Sequence, residues 1–360
     1  MSKKKVCIIA EAGVNHNGDY NLACRLIAAA AKTGADIVKF QTFRSDALVT
    51  ADAAKAAYQA KQTGGEETQH EMLKRLELSY ETFHRLLNVA NDEGIGFLST
   101  PFDIVSLTFL VEELGLKQIK LGSGELTNGP ILLEAARLDC DLIVSTGMSS
   151  LADVSDAVGV LAFGYANPSA YPSGSDVKMI LENSAAMDHV RRRVTLLHCT
   201  SQYPAPVHDS NLAAMDTLKQ AFGTAVGFSD HTDGIVVSLA AVARGAIMIE
   251  KHLTLDQNMP GPDHKASLEP GEFARLVRGI REIEDSIGDG RKDIQSSEVD
   301  TRDVARKSLV ALVSVKRGEV FTAENLGVLR PGTGISPIHY WDWLGRSADR
   351  DYIAGEMIGR

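Results

Sequence analysis

The sequence predicts an α/β chain, a (β/α)8 barrel of the TIM type followed by a small β-rich domain. Three observations carry this. Short β-rich runs alternate with Ala/Leu-rich amphipathic stretches as far as Gly288, the habit of successive βα units around a parallel sheet. Eight such runs can be counted, the number that closes a barrel. Beyond Asp289 the texture changes to the charged stretch GRKDIQSSEVDTRD and then to short β runs with tight turns.

The expected strands, in order, are VCIIAEAG from Val6, IVKFQTF from Ile37, GFLSTPF from Gly96, QIKLGSGE from Gln118, LIVSTGM from Leu142, VTLLHCTS from Val194, AVGFSDHT from Ala225 and IMIEKHL from Ile247. Helices fit between them. NLACRLIAAAAKTGA, from Asn21, runs into the glycine expected at a helix C-terminus, and SYETFHRLLNVANDEG opens on the N-cap serine Ser79. Two stretches exceed the βα pattern: a polar insertion over residues 47–75, with Tyr58 inside it, and the Pro/Ser/Gly loop ANPSAYPSGSD at 166–176. The expected domains are therefore a catalytic barrel at 1–288, a linker at 289–304 and a small domain at 305–360. A body of roughly fifty residues buries too little surface to be comfortable alone, so the last should dock on its own barrel or a neighbour's.

Bulk properties narrow the function. A net charge of −10 argues against nucleic acid or an anionic membrane surface as partner, since either needs a basic face. The opening MSKKKVCIIAEAG is basic, but Glu11 breaks its apolar run at once, so it reads as a first strand rather than a secretory leader, and a cytoplasmic protein is expected. Cys7, Cys24, Cys140 and Cys199 include no CxxC pair and read as reduced thiols.

In such a barrel the active site lies at the carboxyl ends of the strands. Here the strand ends deliver Glu11, Lys39 with Gln41, Thr100, Lys120 with Ser123 and Glu125, Ser145, His198, Asp230 with His231, and Glu250 with His252. His198 and His231 end neighbouring strands. Neutral imidazoles so placed suit one labile divalent ion completed by water and substrate oxygen, because two histidines without cysteine do not make a structural zinc site. Lys39 and Lys120, set among the hydroxyls of Thr100, Ser123 and Ser145, suit a small substrate carrying both carboxylate and phosphate. The competing reading of the lysines is buried pairing with Glu11 or Glu125. Glu11 is the candidate general base, with structural pairing to Lys39 as its alternative.

AEAGVNHNGD, VKFQTF, FLSTPFD, KLGSGE, STGM, LLHCTSQYP, GFSDHT and EKHLTLDQNMPGPDHKASLEP resemble, in order, the motifs of the bacterial sialic acid synthase family, and RPGTGISP from Arg330 resembles its antifreeze-like SAF domain. The resemblance spans almost the whole chain. It implies condensation of phosphoenolpyruvate with the aldehyde of an open-chain N-acyl mannosamine, yielding a nine-carbon 2-keto sugar acid such as N-acetylneuraminate or legionaminate, plus phosphate. It further implies a divalent ion, Mn²⁺ before Mg²⁺ or Co²⁺, on His198 and His231. Phosphoenolpyruvate falls to Lys39, Thr100, Lys120, Ser123 and Ser145, with Glu11 and Glu125 joining the two lysines in catalysis. The sugar falls to Gln41, Glu125 and Tyr203, with Arg330 added from the partner of a homodimer with exchanged tails. The alternatives are a synthase acting on a phosphorylated sugar and a non-catalytic sugar-binding protein. ManNAc and a 2,4-diacetamido-6-deoxy sugar stay open as substrates.

Overall fold

The structure is a computed structural model that describes residues 5–55, 59–60, 67–138 and 140–359; Tyr58 lies outside them. Residues 1–288 form one compact unit and 289–360 a second.

The first unit is an eight-stranded, all-parallel barrel. Its strands are β1 (Cys7–Gly13), β2 (Ile37–Thr42), β3 (Gly96–Pro101), β4 (Gln118–Leu121), β5 (Asp141–Ser145), β6 (Val194–Cys199), β7 (Ala225–Asp230) and β8 (Met248–His252). Their hydrogen-bonded order is β3-β2-β1-β8-β7-β6-β5-β4, and β3 and β4, at its two ends, lie side by side. The expected helices form where their caps predict. Tyr20–Thr33 starts at Asp19, whose side chain accepts from the Leu22 amide, and stops at Gly34, whose φ of 82° only glycine adopts cheaply. Tyr80–Asp92 is capped by Ser79.

Because both faces of a parallel strand are covered, the strands bury apolar residues outside the barrel and, low in it, inside as well. Ile8, Val38, Phe40, Ile119, Leu142, Val144, Leu196, Phe228 and Ile249 face the surrounding helices in the main core. Ile9, Leu98, Ile143, Leu197 and Met248 fill the barrel's interior floor, with Cys7 and Ile37 against them. Gly227 belongs to this floor: a Cβ there would sit 2.6 Å from Leu197 Cδ2 and 2.5 Å from the Met248 carbonyl oxygen.

The second unit pairs β9 (Ser308–Ala311) with β10 (Leu326–Leu329) antiparallel, and isolated bridges from Val310, Val315 and Val320 extend the pairing. Its small core is Leu309, Val315, Phe321, Leu326, Tyr352 and Ile358. The stretch expected to be a linker carries a helix at Val299–Ala305. Among the described residues no helix is long and apolar enough to cross a membrane.

Candidate active site

Side chains two apart on a strand share a face, so the residues above the floor also point inward. They are Glu11, Lys39, Thr100, Lys120, Ser145, Cys199, Ser229 and Glu250, one from each strand. All but Cys199 line a cavity of about 300 Å³, which Gln41, Ser123, Tyr203, His231 and His252 complete above them. Cys199 sits beneath, its Sγ 3.1 Å from Ser123 Oγ. One step further along β5, Gly147 leaves space: its amide donates to Ser123 Oγ, and a Cβ there would meet Ser201, Ser123 and Cys199 within 3 Å.

This layer is charged and dry. Lys39 pairs with Glu11 and lies 3.6 Å from Glu250 Oε2 while donating to Thr100 Oγ1 at 3.0 Å. Lys120 donates to Glu250 Oε1 at 3.2 Å, and Ser229 Oγ donates to the same oxygen at 2.8 Å. Burial opposes every one of these charges, and proximity decides the outcome. Burial, aided by Glu250, lifts the Glu11 carboxyl above the usual range despite Lys39. Burial pushes Glu250 up too, but Lys120 and Lys39 prevail and hold it far below the ordinary value. Burial disfavours the Lys39 cation, yet Glu11 and Glu250 outweigh that and raise its pKa. Ser145 Oγ is buried without a hydrogen-bond partner, a hydroxyl held ready for a ligand.

Of the two histidines expected to share a metal, only His231 is in this cavity. His198 follows Leu197, a floor residue, so its ring turns outward, 5.9 Å from Phe228, with Nε2 2.8 Å from the Ser210 carbonyl oxygen. It lines a separate cleft with Thr146 and Asn211. The partner of His231 is His252, at a ring separation of 5.8 Å, with Tyr203 4.3 Å from His231 and 5.7 Å from His252. The His231 Nδ1–H donates to the Thr200 carbonyl at 2.7 Å, since a carbonyl only accepts, which puts the ring's lone pair on Nε2, 3.4 Å from Ser229 Oγ. His252 Nδ1 is buried without a hydrogen-bond partner. Burial lowers the pKa of both rings, that of His252 strongly and with help from His231, so both are neutral ligands near pH 7. This donor set fits a divalent ion held by two protein nitrogens and completed by water or substrate oxygen. No group of three or more His, Cys, Asp or Glu among the described residues is placed to hold an ion unaided.

A second cavity, of about 340 Å³, adjoins the first through Gln41, Phe102, Gly124, Tyr203 and His252. Its polar residues include Glu125, Gln59, Gln69 and Asp263. Burial raises the Glu125 carboxyl, although Asn128 Nδ2 donates to it at 2.6 Å. Burial and then Glu11 push Asp263 up to about 7. The remaining wall is apolar and comes largely from the insertion after β2, where Val14, Phe43, Met72 and Leu76 form a cluster separate from the barrel core. No lysine or arginine is among the described residues lining it.

The first cavity thus unites Glu11, Lys39, Gln41, Thr100, Lys120, Ser123, Ser145, Tyr203 and His231, and the second adds Glu125. Outside both lie His198 and the described residues of the 166–176 loop, while Arg330 belongs to the second unit, exposed just beyond β10. Reading by strand end alone passed over Ser229 and Glu250 as anion-site residues and His252 as a ligand; two-residue alternation above Met248 is the signal that finds Glu250 and His252.

The chain matches the NeuB family over residues 26–292 and the SAF domain over residues 306–359. It is 48% identical over 355 residues to N,N'-diacetyllegionaminic acid synthase of Campylobacter jejuni, covering 99% of each chain. It is 44% identical over 351 residues to the enzyme of the same name from Legionella pneumophila, covering 98% of this chain and 92% of that one. Among solved structures it is similar to N-acetylneuraminic acid synthetase of Leptospira borgpetersenii in complex with citrate, at 34% identity and a TM-score of 0.65, covering 82% of this chain and 90% of that one.

Proposed function

The chain belongs to the NeuB family, and on that premise we propose how its two cavities divide the work of a phosphoenolpyruvate-dependent sugar-acid synthase. Phosphoenolpyruvate occupies the first and the open-chain N-acyl mannosamine the second, with the aldehyde where the two meet, at Gln41, Tyr203 and His252. The observation that carries this reading is the buried layer of two lysines and several hydroxyls opening directly onto a cavity whose described residues offer amides and carboxyls but no lysine or arginine.

Lys39 and Lys120, with Thr100, Ser123 and Ser145, hold the carboxylate and phosphate of phosphoenolpyruvate. His231 and His252 hold the divalent ion, for which we favour Mn²⁺ over Mg²⁺ or Co²⁺; when bound, it supplies Lewis acidity toward the aldehyde oxygen. The methylene carbon of phosphoenolpyruvate bonds to the aldehyde carbon, whose oxygen takes a proton to become a hydroxyl. Water captures the cationic carbon left behind and gives its proton to Glu11, whose carboxyl is made by burial a stronger base than an ordinary carboxylate. The C–O bond to phosphate then breaks as the new hydroxyl collapses to the ketone, its proton leaving with the phosphate, and the proton on Glu11 makes good the one taken by the aldehyde oxygen. Glu125 and Gln41 orient the sugar. Ser229 and Glu250 position the lysines.

The enzyme is read as cytoplasmic and as a homodimer in which Arg330 of one subunit reaches the sugar cavity of the other. The dimer has its own check: mixing inactive Arg330→Ala and His231→Ala subunits restores about a quarter of wild-type activity if the tails are exchanged, and none if each serves its own barrel. The function is tested by phosphate release from phosphoenolpyruvate. Release that requires both an amino sugar and a divalent ion, with a matching keto acid, is expected; release without sugar, or none with any N-acyl mannosamine, rejects the synthase. A phosphorylated sugar would need a second phosphate site, and the described residues of the second cavity include no lysine or arginine, so Arg330 of the other subunit would have to supply it alone.

A further inference from the structure

We propose that the helix Gln69–Leu76 and the segment facing it are the element that selects the sugar, with Leu73, Met72 and Leu48 reading a methyl group at the sixth carbon. The inference rests on the assignment of the second cavity to the sugar.

The reacting aldehyde must sit beside phosphoenolpyruvate, at the residues the two cavities share. The far carbons of an open chain therefore extend toward the residues that only the second cavity has. There one side is an apolar wall of Leu48, Val49, Met72, Leu73 and Leu76, and the other is polar, with Gln59, Gln69, Glu125 and Asp263. A hydroxyl turned against this wall loses its water partners and gains none, whereas a methyl is buried at a profit of apolar area. Acetamido groups have partners in the same cavity, because Gln69, Glu125 and Asp263 supply donors and acceptors along its polar side. The combination fits a 2,4-diacetamido-6-deoxy sugar and disfavours a 6-hydroxy or 6-phospho sugar.

The wall is also built to hold its shape. Thr68 and Glu71 close a reciprocal cap on the helix N-terminus. Glu77, just past its end, accepts from the amide and hydroxyl of Ser45 at 3.0 and 2.9 Å, and His70 Nε2 lies 2.8 Å from Asp46 Oδ1. Gly18, at φ 76°, lets the loop after β1 pass so close that a Cβ would lie 2.4 Å from the Arg75 carbonyl oxygen. A wall fixed in this way discriminates by shape rather than by adapting to each sugar.

The test compares 2,4-diacetamido-2,4,6-trideoxymannose with its 6-hydroxy counterpart in the phosphate-release assay. Wild type should favour the deoxy sugar in kcat/KM by roughly tenfold or more, the discrimination one small group allows in an apolar pocket. Leu73 is half-buried, so Leu73→Asn should fold; it should bring the ratio within about twofold of one while the KM for phosphoenolpyruvate holds, and Leu73→Met should keep the ratio. Val49→Thr, on the facing segment, tests the same wall with a near-isosteric change. A wild type indifferent to the sixth carbon, or a ratio unmoved in both Leu73→Asn and Val49→Thr, overturns the proposal while leaving the synthase reading intact. Wild type that turns over no N-acyl mannosamine overturns both.

Discussion

The two adjoining cavities are built in opposite ways. The anion-facing cavity takes one or more side chains from every strand of the barrel but β6, so its geometry is inherited from the sheet's register and its chemistry is charge on buried side chains. The sugar-facing cavity takes most of its apolar wall from a segment inserted between β2 and the Tyr80–Asp92 helix, with its own small core. The barrel fixes the reaction, and the insertion can vary the substrate without disturbing it. If that division is right, changes in the first cavity should destroy turnover and changes in the second should redirect it.

The largest effect is expected at the histidines. His252→Ala or His231→Ala should lower kcat by about a thousandfold, the equivalent of several kcal/mol of lost charge stabilisation, and abolish the response to added Mn²⁺ after EDTA treatment. His198→Ala should keep that response. Equal losses in His198→Ala and His252→Ala would break the assignment by strand face.

Glu11→Gln comes next. Removing the base while keeping the shape should cost kcat roughly a hundredfold with little change in the KM for phosphoenolpyruvate. Near-normal turnover would reduce Glu11 to a partner of Lys39.

The smallest effect concerns Asp263, on the sugar side, and is read in stability. Its carboxyl is raised to about 7 in the folded protein from an ordinary value of 3.8, so between those limits the folded state binds more protons than the unfolded one. Stability should therefore fall as pH rises from about 4 to 7 and level off above. Asp263→Asn should flatten that slope in thermal melts, and an unchanged slope would place the pH dependence elsewhere.

The barrel and its charged layer are legible in the sequence because apolar runs with polar ends recur at barrel spacing, and Glu11, Lys39, Thr100, Lys120 and Ser145 all emerge from that pattern. The histidine pair proposed for the metal is not, since β6 is covered on both faces and Leu196 and Leu197 look alike as letters. Only packing shows that Leu197 is the one facing inward, which sends His198 out and leaves His252 as the partner. The sugar wall is hidden for a different reason. Gln69–Leu76 is only eight residues long and sits in a polar stretch, and its purpose appears only once Met72 and Leu76 meet Phe43 and Val14.

Glu11 and Glu250 give the empty barrel a set of internal counterions. Two buried lysines face two buried carboxyl groups, so Lys39 and Lys120 have partners within the barrel before any anion arrives. On the proposed function, arrival of phosphoenolpyruvate is an exchange, in which the incoming oxygens compete with the carboxyl groups already seated on Lys39 and Lys120. A Glu11 carboxyl displaced in that exchange would lose the cation that lowers its pKa and become a stronger proton acceptor, coupling occupancy of the anion site to readiness of the base.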